Sequence, residues 1–207
     1  MHNIQSMSHF SVTCIPEQGI NKELMNSIKF YNYLSCRWII TVFFNLLDGP
    51  QRPAELFRNI HGMSKKVFYE RISSLIDDGF ITKRVIKVFP SHVEYSFTEN
   101  GEEFIPFLTE LRALNITDEA ISHVFKCKWL KSILIALSKN SMRMMELKSA
   151  IGEISNKVLS EKLKKLERFL LVERTVEIDS PVKVKYRLSQ PGKYLADFLL
   201  KHSTVIP

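Results

Sequence analysis

A shift of 91 residues lays this chain over itself without a gap. Cys36-Arg37-Trp38 falls on Cys127-Lys128-Trp129, and Pro90, Val93 and Tyr95 fall on Pro181, Val184 and Tyr186. The register runs from Cys36 to Leu108 against Cys127 to Leu199, with Arg52/Arg143, Leu56/Leu147, Ser64/Ser155, Leu75/Leu166 and Gly101/Gly192 also coinciding. One unit has therefore been duplicated. Solenoid repeats run about 20 to 50 residues, so a period this long predicts two small domains, each with its own core. The expected division is 17–114 and 115–203, and two like domains in one chain imply a pseudo-twofold molecule.

Bulk properties narrow the class. A chain of 207 residues with 45% hydrophobic and 25% charged residues is an ordinary soluble globular chain with room for two domains. Its longest apolar run, Trp38 to Leu47 broken by Thr41 and Asn45, is far short of the roughly 20 residues that cross a bilayer. The opening Met1-His2-Asn3-Ile4-Gln5-Ser6 lacks a basic segment followed by an apolar one, so no signal peptide is expected. Three cysteines make no disulfide framework and fit a reducing, cytoplasmic setting. The net charge of +7 is uneven: Met1 to Leu114 carries 12 Lys+Arg and 12 Asp+Glu, the remainder 17 and 10. A basic domain favours a polyanion, nucleic acid ahead of anionic lipid.

The order of elements sharpens this. Arg37 to Leu47 reads as a buried helix ended by Asp48-Gly49-Pro50, and Pro53 suits the first turn of a short helix reaching Ile60. Ser64 can cap a third helix, whose apolar Val67, Phe68, Ile72, Leu75 and Ile76 keep helical spacing until Gly79. Phe80 to Val88 and Val93 to Phe97 flank a Pro90-Ser91 turn as a hairpin, and Thr98 can cap a further helix through Leu111. The second copy repeats the plan with Lys128 to Leu137, Met142 to Ile151, Ser155 to Leu170, strands at Val172 to Ile178 and Val182 to Leu188, and a helix from Gly192 to His202. Between the copies, Asn115-Ile116-Thr117-Asp118 is a short break, with no floppy Gly/Ser-rich linker. Helix, turn, helix, turn, helix, hairpin, helix is a winged helix-turn-helix. The expected fold is α+β and mostly helical, two tandem winged domains forming an intramolecular pseudo-dimer.

These residues resemble the HxlR family of bacterial transcriptional regulators, a winged-helix group related to MarR. The first copy carries that family's pattern at Trp38, at Asp48-Gly49-Pro50-Gln51-Arg52, at Gly62-Met63-Ser64 and from Pro90 through Val93-Glu94-Tyr95 to Gly101. The second keeps Lys128-Trp129, Ile154-Ser155, Pro181, Val184, Tyr186 and Gly192, but has Lys139-Asn140-Ser141 at the turn and Lys185 in place of the wing Glu. The resemblance implies homodimers paired through helices outside the helix-turn-helix. Here the segments Glu17 to Leu34, Glu102 to Val124 and Gly192 to His202 would form that junction within one chain. The expected assembly is a monomer acting as a pseudo-dimer, with a weak homodimer as the variant, and the expected partner is double-stranded DNA, with no membrane role.

The third helix of each copy is the candidate DNA reader. At 100° per residue its outward face carries Lys66, Tyr69, Glu70, Ser73 and Asp77 in copy one. Copy two carries Lys157, Ser160, Glu161, Lys164 and Arg168, with Lys165 at the margin. Ser64 and Lys65, and Ser155 and Asn156, open the two helices. Lys and Arg reach guanine edges or phosphate, and Ser and Tyr either. The competing account treats Lys66–Glu70 and Lys157–Glu161 as mere surface pairs. In the first wing Lys83, Arg84 and Lys87 flank Phe89-Pro90-Ser91-His92, a set suited to phosphate and minor-groove contact. The second has Glu177 and Asp179 before its tip and Lys183, Lys185 and Arg187 after it. Copy one is thus expected to bind chiefly through its wing and copy two chiefly through its helix.

Nothing points to an enzyme, and no cofactor is expected: the cysteines lie 22 and 91 residues apart, and no metal-ligand spacing, phosphate loop or nucleophile elbow is present. Cys36 and Cys127 read as small residues packed near the indoles. Some relatives sense oxidants through an N-terminal Cys, a role that would fall on Cys14. The alternative function is a winged-helix protein-interaction module that does not bind DNA sequence-specifically.

Overall fold

A computed structural model of the chain describes residues 22–177 and 183–203. The first half contains α1 (Lys22–Tyr33), α2 (Arg37–Leu46), α3 (Pro53–Asn59), α4 (Lys65–Asp77), β1 (Ile81–Ile86), β2 (His92–Phe97), α5 (Glu99–Glu102) and α6 (Ile105–Ala113). The second contains α7 (Asp118–Lys126), α8 (Lys128–Lys139), α9 (Met144–Ile151), α10 (Asn156–Arg168), β3 (Val172–Glu177), β4 (Lys183–Leu188) and α11 (Gln190–Lys201). Each pair of strands is an antiparallel hairpin, in register from Ile81↔Phe97 to Ile86↔His92 and from Val172↔Leu188 to Glu177↔Lys183. Two winged helix-turn-helix units thus follow one another.

Two departures from the sequence reading have a clear local cause. The helix expected from Thr98 to Leu111 is broken into α5 and α6, because Pro106 near the start of α6 has no N–H to continue the ladder. Its counterpart 91 residues on is Asp197, and α11 runs unbroken. The helix expected from Met142 begins at Met144, since Met142 exchanges backbone hydrogen bonds of 3.0 and 2.8 Å with Tyr186. Gln51 does the same with Tyr95 at 2.9 and 2.8 Å. In both copies this bridge ties the entry of the second helix to the wing.

The copies share their local devices. Ser64 and Ser155 accept from the N–H groups of Val67 and Val158, each at 3.3 Å, capping α4 and α10. Both helices end in a left-handed residue, at Gly79 (φ +76°) and at its counterpart Leu170 (φ +57°). The Thr98 hydroxyl donates to the Gly79 carbonyl and caps α5, while that of Ser189 donates to the Leu170 carbonyl at 2.6 Å and caps α11. Left-handed backbone costs a residue with a Cβ about 1–2 kcal/mol, and Leu170, 74% exposed, regains little by burial. Leu170→Gly is therefore expected to stabilise the chain by about 0.5–1 kcal/mol, after the larger entropy of an unfolded glycine is subtracted. Thermal unfolding checks this: the midpoint should rise by about 2 °C.

One hydrophobic core runs through both units. α2 contributes Ile39, Ile40, Val42, Phe43 and Leu46, and α8 contributes Leu130, Ile133, Leu134 and Leu137. At the junction residues meet their own counterparts. Phe107 packs edge-on against Phe198 with ring centroids 4.8 Å apart, and Glu110 pairs with Lys201 at 2.8 Å. Both pairs are separated by the repeat length of 91, and contact between equivalent positions is what a twofold axis produces. Thr41 of α2 donates to Asp118 of α7, fastening the start of the second unit to the first.

Candidate nucleic-acid interface

With Phe68, Ile72 and Leu75 buried, α4 leaves Ser64, Lys65, Lys66, Tyr69, Glu70, Ser73 and Asp77 exposed. With Leu159, Leu163 and Leu166 buried, α10 leaves Ser155, Asn156, Lys157, Glu161, Lys164 and Arg168 exposed and Ser160 half-buried. Each expected face is thus assembled on one side of its helix. Lys66 reaches Glu70 only at 4.0 Å, a surface pair worth a few tenths of a kcal/mol at most. Lys165 turns away from the face: its Nζ lies 2.9 Å from His123 Nδ1 on α7. Burial lowers the pKa of both groups, with each reinforced by nearby cations, so a neutral imidazole accepts from the lysine.

The first wing is built around His92. Its ring nitrogens lie 3.0 Å from the Pro90 carbonyl and 2.8 Å from Glu94 Oε1. A protonated imidazole donates to both acceptors and a neutral one to only one, and these contacts raise the His92 pKa above its usual 6.5. Lys83, Arg84 and Lys87 are exposed along the same hairpin. Arg52, at the N-terminal cap of α3, brings a guanidinium nitrogen to 3.4 Å from His92 Nε2. A cleft lined by Arg52, Phe57, Lys65, Tyr69 and His92 therefore joins helix and wing. Sequence reasoning leaves Arg52 out of the site. A signal is present: Arg52 and Arg143 coincide in the repeat although the turn before them has diverged.

In the second wing Lys183 and Lys185 are half-buried on β4, and Arg187 pairs with Glu173 at 2.7 Å. The expected tip, including Asp179 and Pro181, lies outside the described residues, as do Cys14 and the segment from Glu17 to the start of α1. Cys36 and Cys127 are free thiols, half-buried at the starts of α2 and α8. Among the described residues no group of His, Cys, Asp and Glu is placed to hold a metal, and no helix is long and apolar enough to cross a membrane.

Comparison with known proteins matches the family described as HxlR-like helix-turn-helix to residues 33–119 and again to 124–204. The uncharacterised HTH-type transcriptional regulator YvaP of Bacillus subtilis (strain 168) is 35% identical over 83 residues, 40% of this chain and 77% of that protein. YtfH of Escherichia coli (strain K12), likewise described as an HTH-type transcriptional regulator, is 32% identical over 89 residues, 43% of this chain and 71% of its own length. Among solved structures, the reduced form of the transcriptional regulator YodB from B. subtilis is similar at 29% identity and a TM-score of 0.37, covering 48% of this chain and 87% of that one.

Proposed function

We propose, from the premise that this chain belongs to the HxlR-like helix-turn-helix family and is a DNA-binding transcriptional regulator, how its two copies divide the work on double-stranded DNA. The first copy, 17–114, holds its half of the site mainly by the backbone, through Lys83, Arg84 and Lys87 on the wing and Ser64, Lys65, Lys66, Tyr69, Ser73 and His92 beside it. The second, 115–203, reads chiefly through α10, with Ser155, Asn156, Lys157, Ser160, Lys164 and Arg168, supported by Lys183 and Lys185. The chain acts as a monomer in the cytoplasm, one molecule supplying both halves.

One observation carries this reading: the outward faces of the two helices are unlike at paired positions, exposed Tyr69 against half-buried Ser160, Ser73 against Lys164 and Asp77 against Arg168. A homodimer presents identical readers and favours a palindrome. These faces favour two dissimilar half-sites, about one helical turn or 34 Å apart. The test is selection of bound duplexes followed by reversal of one half-site. Binding should fall on reversal and on palindromes built from either half. Removing Lys157, Lys164 and Arg168 together should flatten the salt dependence by up to about 0.9 for each phosphate no longer neutralised. Equal binding to both palindromes, with an unchanged salt slope in the triple variant, refutes the division.

A further inference from the structure

The first wing ends in an apolar point. Phe89 is 96% exposed, with Val88 at 75% and Val85 at 57% beside it. The last strand pair is Ile86↔His92, so Phe89 stands at the crest of the intervening loop. Full burial of such a ring is worth about 1.5–3 kcal/mol, a gain that folding leaves unclaimed here. The base of the loop is not loose, since His92 holds the Pro90 carbonyl at 3.0 Å and Glu94 at 2.8 Å.

What surrounds the point indicates what it meets. Lys83 and Arg84 on β1 and Lys87 just beyond its end are all exposed, and Arg52 sits beside the base of the loop. Cations around an apolar tip match a partner with an anionic rim and an apolar interior. Duplex DNA has that form, with phosphates along the groove edges and stacked bases between them. An apolar pocket on a protein would complement Phe89 but gives the flanking cations no counter-charge.

We propose that Phe89 is a wedge that enters the minor groove and presses its ring against one base step, partly unstacking it and bending the duplex. This rests on the DNA-binding reading above. Lys83, Arg84 and Lys87 hold the flanking phosphates, and Phe89 selects by deformability, favouring the easily unstacked TA or CA/TG steps. In the second copy the positions of Val88 and Phe89 are taken by Asp179 and Ser180, so the kink falls at one end of the site only.

The experiment uses the full chain and a selected operator carrying 2-aminopurine at successive positions under the first wing. Because Phe89 is almost wholly in solvent, Phe89→Ala leaves the fold intact, which circular dichroism verifies. The native chain should raise 2-aminopurine fluorescence at one step. Phe89→Ala should abolish that rise and weaken binding about 10-fold with an unchanged salt slope, and Phe89→Trp should keep both. Lys83, Arg84 and Lys87 changed together to Ala should instead flatten the slope. An F89A variant with native affinity and fluorescence overturns the wedge alone. A native chain that does not bind DNA overturns the reading beneath it.

Discussion

Phe107→Ala is expected to cost about 3–5 kcal/mol and to lower the unfolding temperature of both halves together by about 6–20 °C. Phe107 is buried, and its ring lies 5.6 Å from Phe30, 5.4 Å from Tyr31, 6.4 Å from Phe125, 4.8 Å from Phe198 and 4.9 Å from His202. Truncation therefore opens a void where α1, α6, α7 and α11 converge. A single shifted calorimetric transition is the anticipated result. Two transitions, with the second copy melting at its native temperature, would show that the junction carries little of the stability.

The second large effect runs against helix propensity. Gly101 and Gly192 lie in α5 and α11, where alanine ordinarily gains about 1 kcal/mol over glycine. Here a Cβ at Gly101 would strike the Phe80 carbonyl oxygen and come within 2.9 Å of Phe97 Cδ1, and one at Gly192 would strike the Leu171 carbonyl oxygen. Those oxygens accept from the N–H groups of Thr98 and Ser189, each at 3.1 Å, so neither can retreat without stretching that backbone hydrogen bond. Steric cost exceeds the propensity gain: each substitution should destabilise by about 3 kcal/mol, or about 6–12 °C. An unchanged or raised midpoint in G101A or G192A would mean the close approach has room to relax.

What could be read from the residues divides by sequence distance. Ser64, Ser155 and Thr98 announce their helices because a cap is completed within three residues, and the buried stripe of α10 follows from spacing alone. The exposed faces of α4 and α10 are legible for the same reason. Pro106 is visible in the sequence, yet apolar spacing carries the expected helix straight through it. Spacing sets Lys165 at the margin of the face, but its inward turn depends on His123, 42 residues away on another helix. Arg52 with His92, 40 residues apart, and Glu110 with Lys201 are likewise products of tertiary packing. The repeat foretells that two halves pair; which residues lie on their axis requires the fold.

Phe107 meeting Phe198 also changes how such a regulator responds to its own abundance. Two separate chains must collide before they can act as one, so the assembled fraction falls as copy number falls. Here the junction closes by folding, at a tethered local concentration on the order of millimolar, however few molecules a cell holds. Under the monomeric assembly proposed above, occupancy of an operator follows the first power of protein concentration. A twofold fall in concentration then halves the signal, where a dissociating pair would lose about three quarters of it.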